Sequence, residues 1–184
     1  MDIISAIVNR SSPVQLGEPA PTDEQLEKIL LAAVSAPDHA RLRPWRFSIV
    51  KGDARLRYGE LMAQSLKRRE PDASEEKLDV ERKKALRAPV LVIVGAAIQE
   101  NPKVPAVEQI IAAGAAAQNM MIAAEALGFG ILWRTGPVAY DPAVKAAFGL
   151  AESDAIVGIM YVGTVAAMGR RRPPLDIASV TQRW

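Results

Sequence analysis

The chain has 184 residues and a mass of 19.8 kDa, the size of one ordinary domain. It has no cysteine and one histidine, which excludes disulfide scaffolds, thiolate zinc sites, cysteine nucleophiles and multi-histidine metal sites. Basic and acidic residues nearly balance, at 23 and 21, so no nucleic-acid-binding surface is predicted. We find neither a signal-peptide pattern nor a membrane-spanning segment, and we therefore expect a soluble cytoplasmic protein.

The first part of the chain is expected to be helical with loops between the helices. Apolar residues at helical spacing predict a short amphipathic helix over 2–9, and Gly and Pro residues predict a loop over 16–21. Thr22 and Gln25 have the spacing of a capping box, in which each side chain bonds the other residue's backbone N–H. They predict the start of a helix that ends before Pro37.

The next part combines a strand with highly charged sequence. Residues 45–50 alternate between apolar and polar and predict a strand, and 55–66 predict a helix. Charged residues dominate 67–87, with Pro71 in the middle, which is typical of solvated helix with ion pairs one turn apart. We expect this helical segment to be the most mobile part of the domain.

A buried centre follows. The continuous apolar run 90–95 predicts a central strand covered on both faces. Residues 107–127 predict a long helix with small side chains at 114–117, which let another backbone approach closely. Gly128 is expected to end this helix, before a short strand over 131–134.

The last part returns to strands. Asp141 is expected to cap a helix that ends at Phe148, before a core strand over 156–165. A basic turn follows at 169–174, and 177–180 is predicted to form one more strand. Helices and strands mix without strict alternation, which favours an α+β fold over a doubly wound one.

Two short motifs suggest ligand chemistry. Gly128-Phe129-Gly130 looks like the start of a dinucleotide-binding loop, but it follows a helix instead of opening one, so a helix end is the better interpretation. Arg10-Ser11-Ser12 combines a guanidinium with two hydroxyls, which suits a phosphate or a ribityl chain. A surface arginine beside two polar loop residues is the alternative.

The remaining candidates are His39 and the three arginines at 170–172. A single histidine with no residue to orient it does not make a catalytic triad, so His39 is expected to donate a hydrogen bond or contact a cofactor. The arginines suit a phosphate or an acidic partner, and a solvated turn is the alternative.

Taken together and in order, these segments resemble the nitroreductase family of FMN-dependent oxidoreductases, most closely its small YdjA-like branch. No single segment is specific, but their order and spacing are. The segments that carry the resemblance are 9–12, 18–22, 36–39, 44–47, 87–89, 103–105, 128–130, 133–136, 156–158 and 161–164.

The resemblance implies one FMN-binding domain over 1–184, with a central mixed or antiparallel sheet flanked by helices, in an intertwined homodimer. FMN would lie in two sites at the subunit interface. The implied contacts are Arg10, Ser11 and Ser12 from one subunit, Ser35 and His39 from its partner, the backbone of Ile131, Leu132 and Trp133 along the ring, and Arg170 and Arg172 at the phosphate.

The resemblance also implies an activity. Hydride would pass from NADH or NADPH through flavin N5 to an electron-poor acceptor such as a nitroaromatic or a quinone, in a ping-pong reaction. Because FMN supplies this chemistry, no catalytic side chain and no metal is expected.

The sequence departs from the family in two places. Val14 stands where many relatives have a basic residue near flavin N1, and Arg41 and Arg43 stand where relatives often have Asn and Gln. Either arginine is a candidate for the missing cation, or both shape an entrance for an acidic substrate. Two alternatives stay open: a non-catalytic flavin carrier or flavin-consuming enzyme on the same fold, and a dimeric interaction module that uses the arginine-rich turn and the segment 67–87.

Overall fold

The computed structural model describes residues 3–170, 173 and 175–184, and its fold is α+β as predicted. The helices are α1 Ile3–Asn9, α2 Asp23–Ala33, α3 Ala54–Arg69, α4 Glu75–Lys84, α5 Ala106–Ala126 and α6 Pro142–Ala147. The strands are β1 Pro13–Gly17, β2 Trp45–Lys51, β3 Val90–Ala96, β4 Gly130–Arg134 and β5 Ala155–Met168. Single 3₁₀ turns occur at His39–Arg41, Pro137–Tyr140 and Ile177–Val180.

The long strand β5 organises the sheet. It pairs antiparallel with β3, β4 and β1, and β2 pairs with the other edge of β3. In register, Val162 of β5 faces both Val90 of β3 and Ile131 of β4, and Val165 faces Leu16 of β1. The sheet is therefore antiparallel, which settles the choice that the sequence left between a mixed and an antiparallel sheet.

The strand β3 is buried at every residue, as its apolar run predicts. Its side chains alternate between two cores, because successive residues of a strand point to opposite faces of the sheet. Val90, Val92 and Val94 pack with α2 and α5, whereas Leu91 and Ile93 pack with α3 and α6. Helices thus cover both faces of the central strand.

The helix signals are confirmed in their detail. The capping box of α2 is complete, since Thr22 accepts a hydrogen bond from the Gln25 N–H and the Gln25 side chain accepts one from the Thr22 N–H. Asp141 caps α6 by accepting from the Ala143 N–H at 2.9 Å. No described helix is long and apolar enough to cross a membrane.

Two elements differ from the prediction. Part of the predicted loop 16–21 belongs to β1, because Pro13–Gly17 pairs with the end of β5 and this pairing outweighs the turn-forming composition. The predicted strand at 177–180 is wrong: these residues form a 3₁₀ turn that the Asp176 side chain caps. Pairing across the sheet depends on tertiary contacts that local composition does not encode.

The charged segment 67–87 is divided between two helices. Its first residues end α3, a turn follows at Pro71, and the rest forms α4, which packs antiparallel on α3. Arg82 binds the carboxylates of Glu60, Glu75 and Asp79 and so fastens the two helices together. The predicted mobility of this segment stays a prediction.

The helix α1 forms as predicted but buries none of its residues. Ile3, Ile4 and Val8 are each about 70% exposed, at 73%, 69% and 73%, and Ile7 is 45% exposed. An amphipathic helix whose apolar side chains find no core in their own chain is typical of a contact surface.

Candidate functional site

A cavity of about 260 Å³ opens where α1 ends. The carboxyl end of α5, the start of β4 and the end of β5 form its other walls. Its lining residues are Asn9, Arg10, Ser11, Pro13, Met121, Glu125, Gly128, Phe129, Gly130, Ile131, Val165 and Met168. We call it the Arg10 cavity. It brings together Arg10, Ser11 and Ile131, which the sequence analysis proposed for one ligand site.

Arg10 gives this cavity its chemical character. It is only 7% exposed, and its Nη1 atom is buried without a hydrogen-bond partner among the described residues. A buried guanidinium nitrogen without a partner is costly, because it has lost its water and gained nothing in return. The geometry therefore fits an anionic group at this point, and a phosphate matches the guanidinium best.

Two glycines shape the wall of the Arg10 cavity beside α5. Gly128 has φ of +86°, in the left-handed region that favours glycine, and it ends the helix as predicted. A Cβ atom on Gly130 would lie 2.5 Å from Cγ2 of Val165, so only glycine lets this loop approach β5. The motif Gly128-Phe129-Gly130 is thus a helix end that also forms a cavity wall.

Ser12 and Arg170 lie beside the Arg10 cavity. The Gly169 N–H donates to the Ser12 carbonyl at 3.2 Å, which holds the exposed Arg170 next to the segment 10–12. Arg172, which was also predicted to bind the phosphate, lies outside the described residues.

The three predicted site residues of β4 do not all point to the same place. Ile131 lines the Arg10 cavity, Leu132 points to the other face, and the Trp133 Nε1–H donates to the Val157 carbonyl at 3.1 Å. Among the described strands β4 pairs only with β5. Its other edge has no partner among the strands of the described residues.

Ser35 and His39 lie elsewhere in the chain. The Ser35 hydroxyl donates to the Leu31 carbonyl at 2.9 Å, and His39 Nδ1 is 2.6 Å from Oε2 of Glu108. Glu108 is in the first turn of α5, whereas Glu125 at its end lines the Arg10 cavity. An α-helix rises about 1.5 Å per residue, so these two ends are roughly 25 Å apart. One chain therefore does not bring His39 to Arg10.

The two departures from the family pattern are also far apart within the chain. Val14 is 67% exposed and offers no charge. Arg41 and Arg43 both have left-handed backbone conformations, with φ of 58° and 49°, and the Arg43 N–H is held by Asp38 at 2.6 Å. Both arginines belong to the His39 end of the molecule.

The structure also contains a second site that the sequence analysis did not find. A recess of about 210 Å³ lies between α3, the chain after α4, and β4. We call it the cationic recess, because four basic side chains and one acid line it: Arg69, Lys84, Arg87, Arg134 and Glu81. Its members come from separate elements, and no local motif announces such a group. No cluster of three or more potential metal ligands occurs in the described residues.

Tyr161 lies in the floor of the cationic recess. Burial raises the pKa of its hydroxyl, while the nearby charges of Arg87 and Arg134 act to lower it. The phenol is therefore neutral at physiological pH and keeps its proton for donation to a ligand.

The chain is similar to known proteins over most of its length. The family model described as "Nitroreductase family" matches residues 7–164. The Escherichia coli K12 protein named "Putative NAD(P)H nitroreductase YdjA" is 42% identical over 164 residues, which cover 89% of this chain and 88% of the relative.

Two solved structures extend the similarity to the fold. The nitroreductase-like family protein from Bacillus cereus has a TM-score of 0.86 at 23% identity, covering 100% of this chain and 96% of its own. A Desulfovibrio desulfuricans protein described as "a putative nitroreductase in complex with fmn" has a TM-score of 0.71 at 25% identity, covering 100% and 97%.

Proposed function

Because the chain belongs to the nitroreductase family, we propose that it is an FMN-dependent oxidoreductase. It would use NADH or NADPH to reduce an electron-poor small molecule such as a nitroaromatic or a quinone. The observation that carries this proposal is Arg10, which lines the Arg10 cavity and whose buried guanidinium nitrogen Nη1 has no hydrogen-bond partner among the described residues. A Desulfovibrio desulfuricans structure of the same fold is described as an FMN complex, which supports FMN as the ligand.

The residues around the Arg10 cavity fit a phosphorylated, polyhydroxylated ligand. Arg10 and Arg170 would hold the phosphate, and the hydroxyls of Ser11 and Ser12 would bind the phosphate or the ribityl chain. The free edge of β4 would offer backbone groups to the ring. Bound FMN supplies the two-electron chemistry, so the chain has only to bind it, orient it and set the charge around it.

We further propose that two chains build each FMN site. His39 is too far from Arg10 to join it within one chain, so it would act at the site of a partner subunit, together with Ser35 four residues before it. The exposed apolar side chains of α1 support such a dimer, as do Leu31, 66% exposed, and Ile111, 63% exposed, on α2 and α5.

Flavin binding and reduction test the enzyme proposal directly. We expect the purified protein to bind one FMN per chain, with a flavin absorbance band that bleaches when NADH or NADPH is mixed in. A protein that takes up no stoichiometric flavin would contradict the proposal. A flavin band that stays unchanged with both nucleotides would favour a flavin carrier, which is the alternative that the uncharged Val14 suggests.

Mixed dimers test the two-chain site. An Arg10→Ala homodimer and a His39→Ala homodimer would each carry two damaged sites and bind FMN weakly. A heterodimer of the two variants would carry one intact site and one doubly damaged site. Co-expressing the variants with different tags should therefore restore tight binding to half of the sites, whereas no recovery would mean that the two residues do not share a site across the interface.

A further inference from the structure

We infer that the cationic recess is an oxyanion site for the electron acceptor, and that the preferred acceptors are small aromatic compounds carrying a carboxylate or a similar acidic group. The recess is distinct from the Arg10 cavity and lies against the opposite face of β4. The identification of its ligand as an acceptor rests on the proposed function.

The charge of the recess is unbalanced. Lys84 is paired with Glu81, the one acid in the lining. Arg69, Arg87 and Arg134 form no ion pair with any described residue. These three exposed arginines line one recess without a carboxylate partner among the described residues, and an oxyanion bound there would accept bidentate hydrogen bonds from their guanidinium groups.

The floor of the recess suits the body of an aromatic molecule. Met62, Leu132 and Ile159 provide apolar surface, and the Tyr161 hydroxyl offers one hydrogen bond beside them. An apolar base with charged groups at its rim is typical of sites for small amphiphilic ligands.

The position of the recess connects it to the proposed flavin site. Leu132 lines the recess, and its neighbour Ile131 lines the Arg10 cavity. Only the width of β4 separates the two hollows, and the free edge of this strand lies between them. On the outer side the recess continues, through Arg69 and Gly136, into an open hollow of about 730 Å³. A ligand can therefore enter from solvent and end next to β4.

Direct binding of matched probes tests this inference without turnover. 4-Nitrobenzoate and nitrobenzene share a ring and a nitro group and differ in one carboxylate. We expect the flavin-loaded protein to bind 4-nitrobenzoate about three- to ten-fold more tightly in calorimetric titrations without NADH or NADPH, with a preference that weakens as salt is added. Arg134→Gln and Arg87→Gln should each lower the affinity for 4-nitrobenzoate by a similar factor and leave nitrobenzene unaffected.

The matched control is Arg57→Gln. Arg57 is an exposed arginine of α3 outside the recess, so its loss changes the net charge by the same amount and should leave both affinities unchanged. Equal affinity for the two probes, or an equal loss in Arg57→Gln, would overturn the inference. A third outcome would also overturn the inference. If the two probes bound equally well and NADP⁺ displaced them, the recess would be assigned to the nucleotide.

Failure of this inference can be told apart from failure of the proposed function. Flavin content is measured on the same samples by visible absorbance. Bound FMN with no carboxylate preference would reject only the acceptor site. The protein could instead take up no FMN and still bind 4-nitrobenzoate in a way that depends on the arginines. The recess would then remain an oxyanion site, but the redox function would be rejected and its ligand would not be an electron acceptor.

Discussion

Replacing Arg10 by methionine should change ligand binding and folding stability in opposite directions. Methionine keeps an unbranched stem of similar length but removes the charge and the hydrogen-bond donors. Arg10 is 7% exposed and its Nη1 has no partner among the described residues, so the chain by itself leaves a buried donor unsatisfied, which is destabilising. We expect the substitution to leave the free energy of unfolding unchanged or to raise it by up to about 1 kcal/mol.

FMN binding should respond in the other direction. A hydrogen bond between a buried guanidinium and a phosphate contributes about 1.5–3 kcal/mol, which corresponds to a roughly 10- to 150-fold loss of affinity when it is removed. The assay combines urea unfolding of flavin-free protein with a fluorescence titration of FMN. The stabilisation that a fixed, saturating FMN concentration provides should fall by the same amount, about 1.5–3 kcal/mol, because it depends on the logarithm of the affinity.

The control for this experiment is Arg57→Met. Arg57 is exposed and does not line the Arg10 cavity, so its replacement should change neither the free energy of unfolding nor the affinity for FMN. A purely structural role for Arg10 makes the opposite prediction. If Arg10→Met lowered the free energy of unfolding by about 2 kcal/mol or more and left FMN affinity intact, the reasoning from the unpartnered nitrogen would be refuted.

Three further predictions concern the scaffold. Gly59→Ala would bring a Cβ atom within 2.6 Å of a backbone oxygen of α4, so thermal unfolding should show a loss of about 1–3 kcal/mol. Met160→Ala in the core of β5 should cost about 2–5 kcal/mol in urea unfolding, whereas Met168→Ala on the same strand, 53% exposed, should cost far less. Burial alone would raise the pKa of Asp141, but its hydrogen bonds, including two from Arg68, hold the pKa below its ordinary value. The stability from this pair, about 1 kcal/mol because Arg68 is part-exposed, is complete above about pH 5 and is lost as the pH falls through the lowered value, so the advantage of wild type over Asp141→Asn should shrink below about pH 4.

The sequence predicts those parts of the fold whose signals are local. The capping box at Thr22 and Gln25, the buried run of β3 and the glycine end of α5 each depend on neighbours within a few residues, and each is confirmed. The strand β1 was missed because its stability comes from pairing with β5, about 150 residues later in the chain. The segment 177–180 has the composition of a strand but no described partner strand.

The residues of the candidate site also differ in how far the sequence alone could predict them. Arg10 and Ser11 are adjacent in sequence, and the structure places them in one cavity with Ile131. The pairing of His39 with Glu108 joins residues 69 positions apart and gives no local signal. The cationic recess is harder still to predict, because its arginines come from three different elements and look like ordinary solvated residues until the sheet and helices bring them together.

The free edge of β4 has a consequence for the handling of the protein. An unpaired strand edge is a template for pairing with other chains, and natural proteins cover or shorten such edges to avoid aggregation. In this chain β4 has five residues, and a ligand lying along it would act as that cover. Flavin supply during expression should therefore raise the soluble yield, and removing the cofactor should promote precipitation even while the domain stays folded.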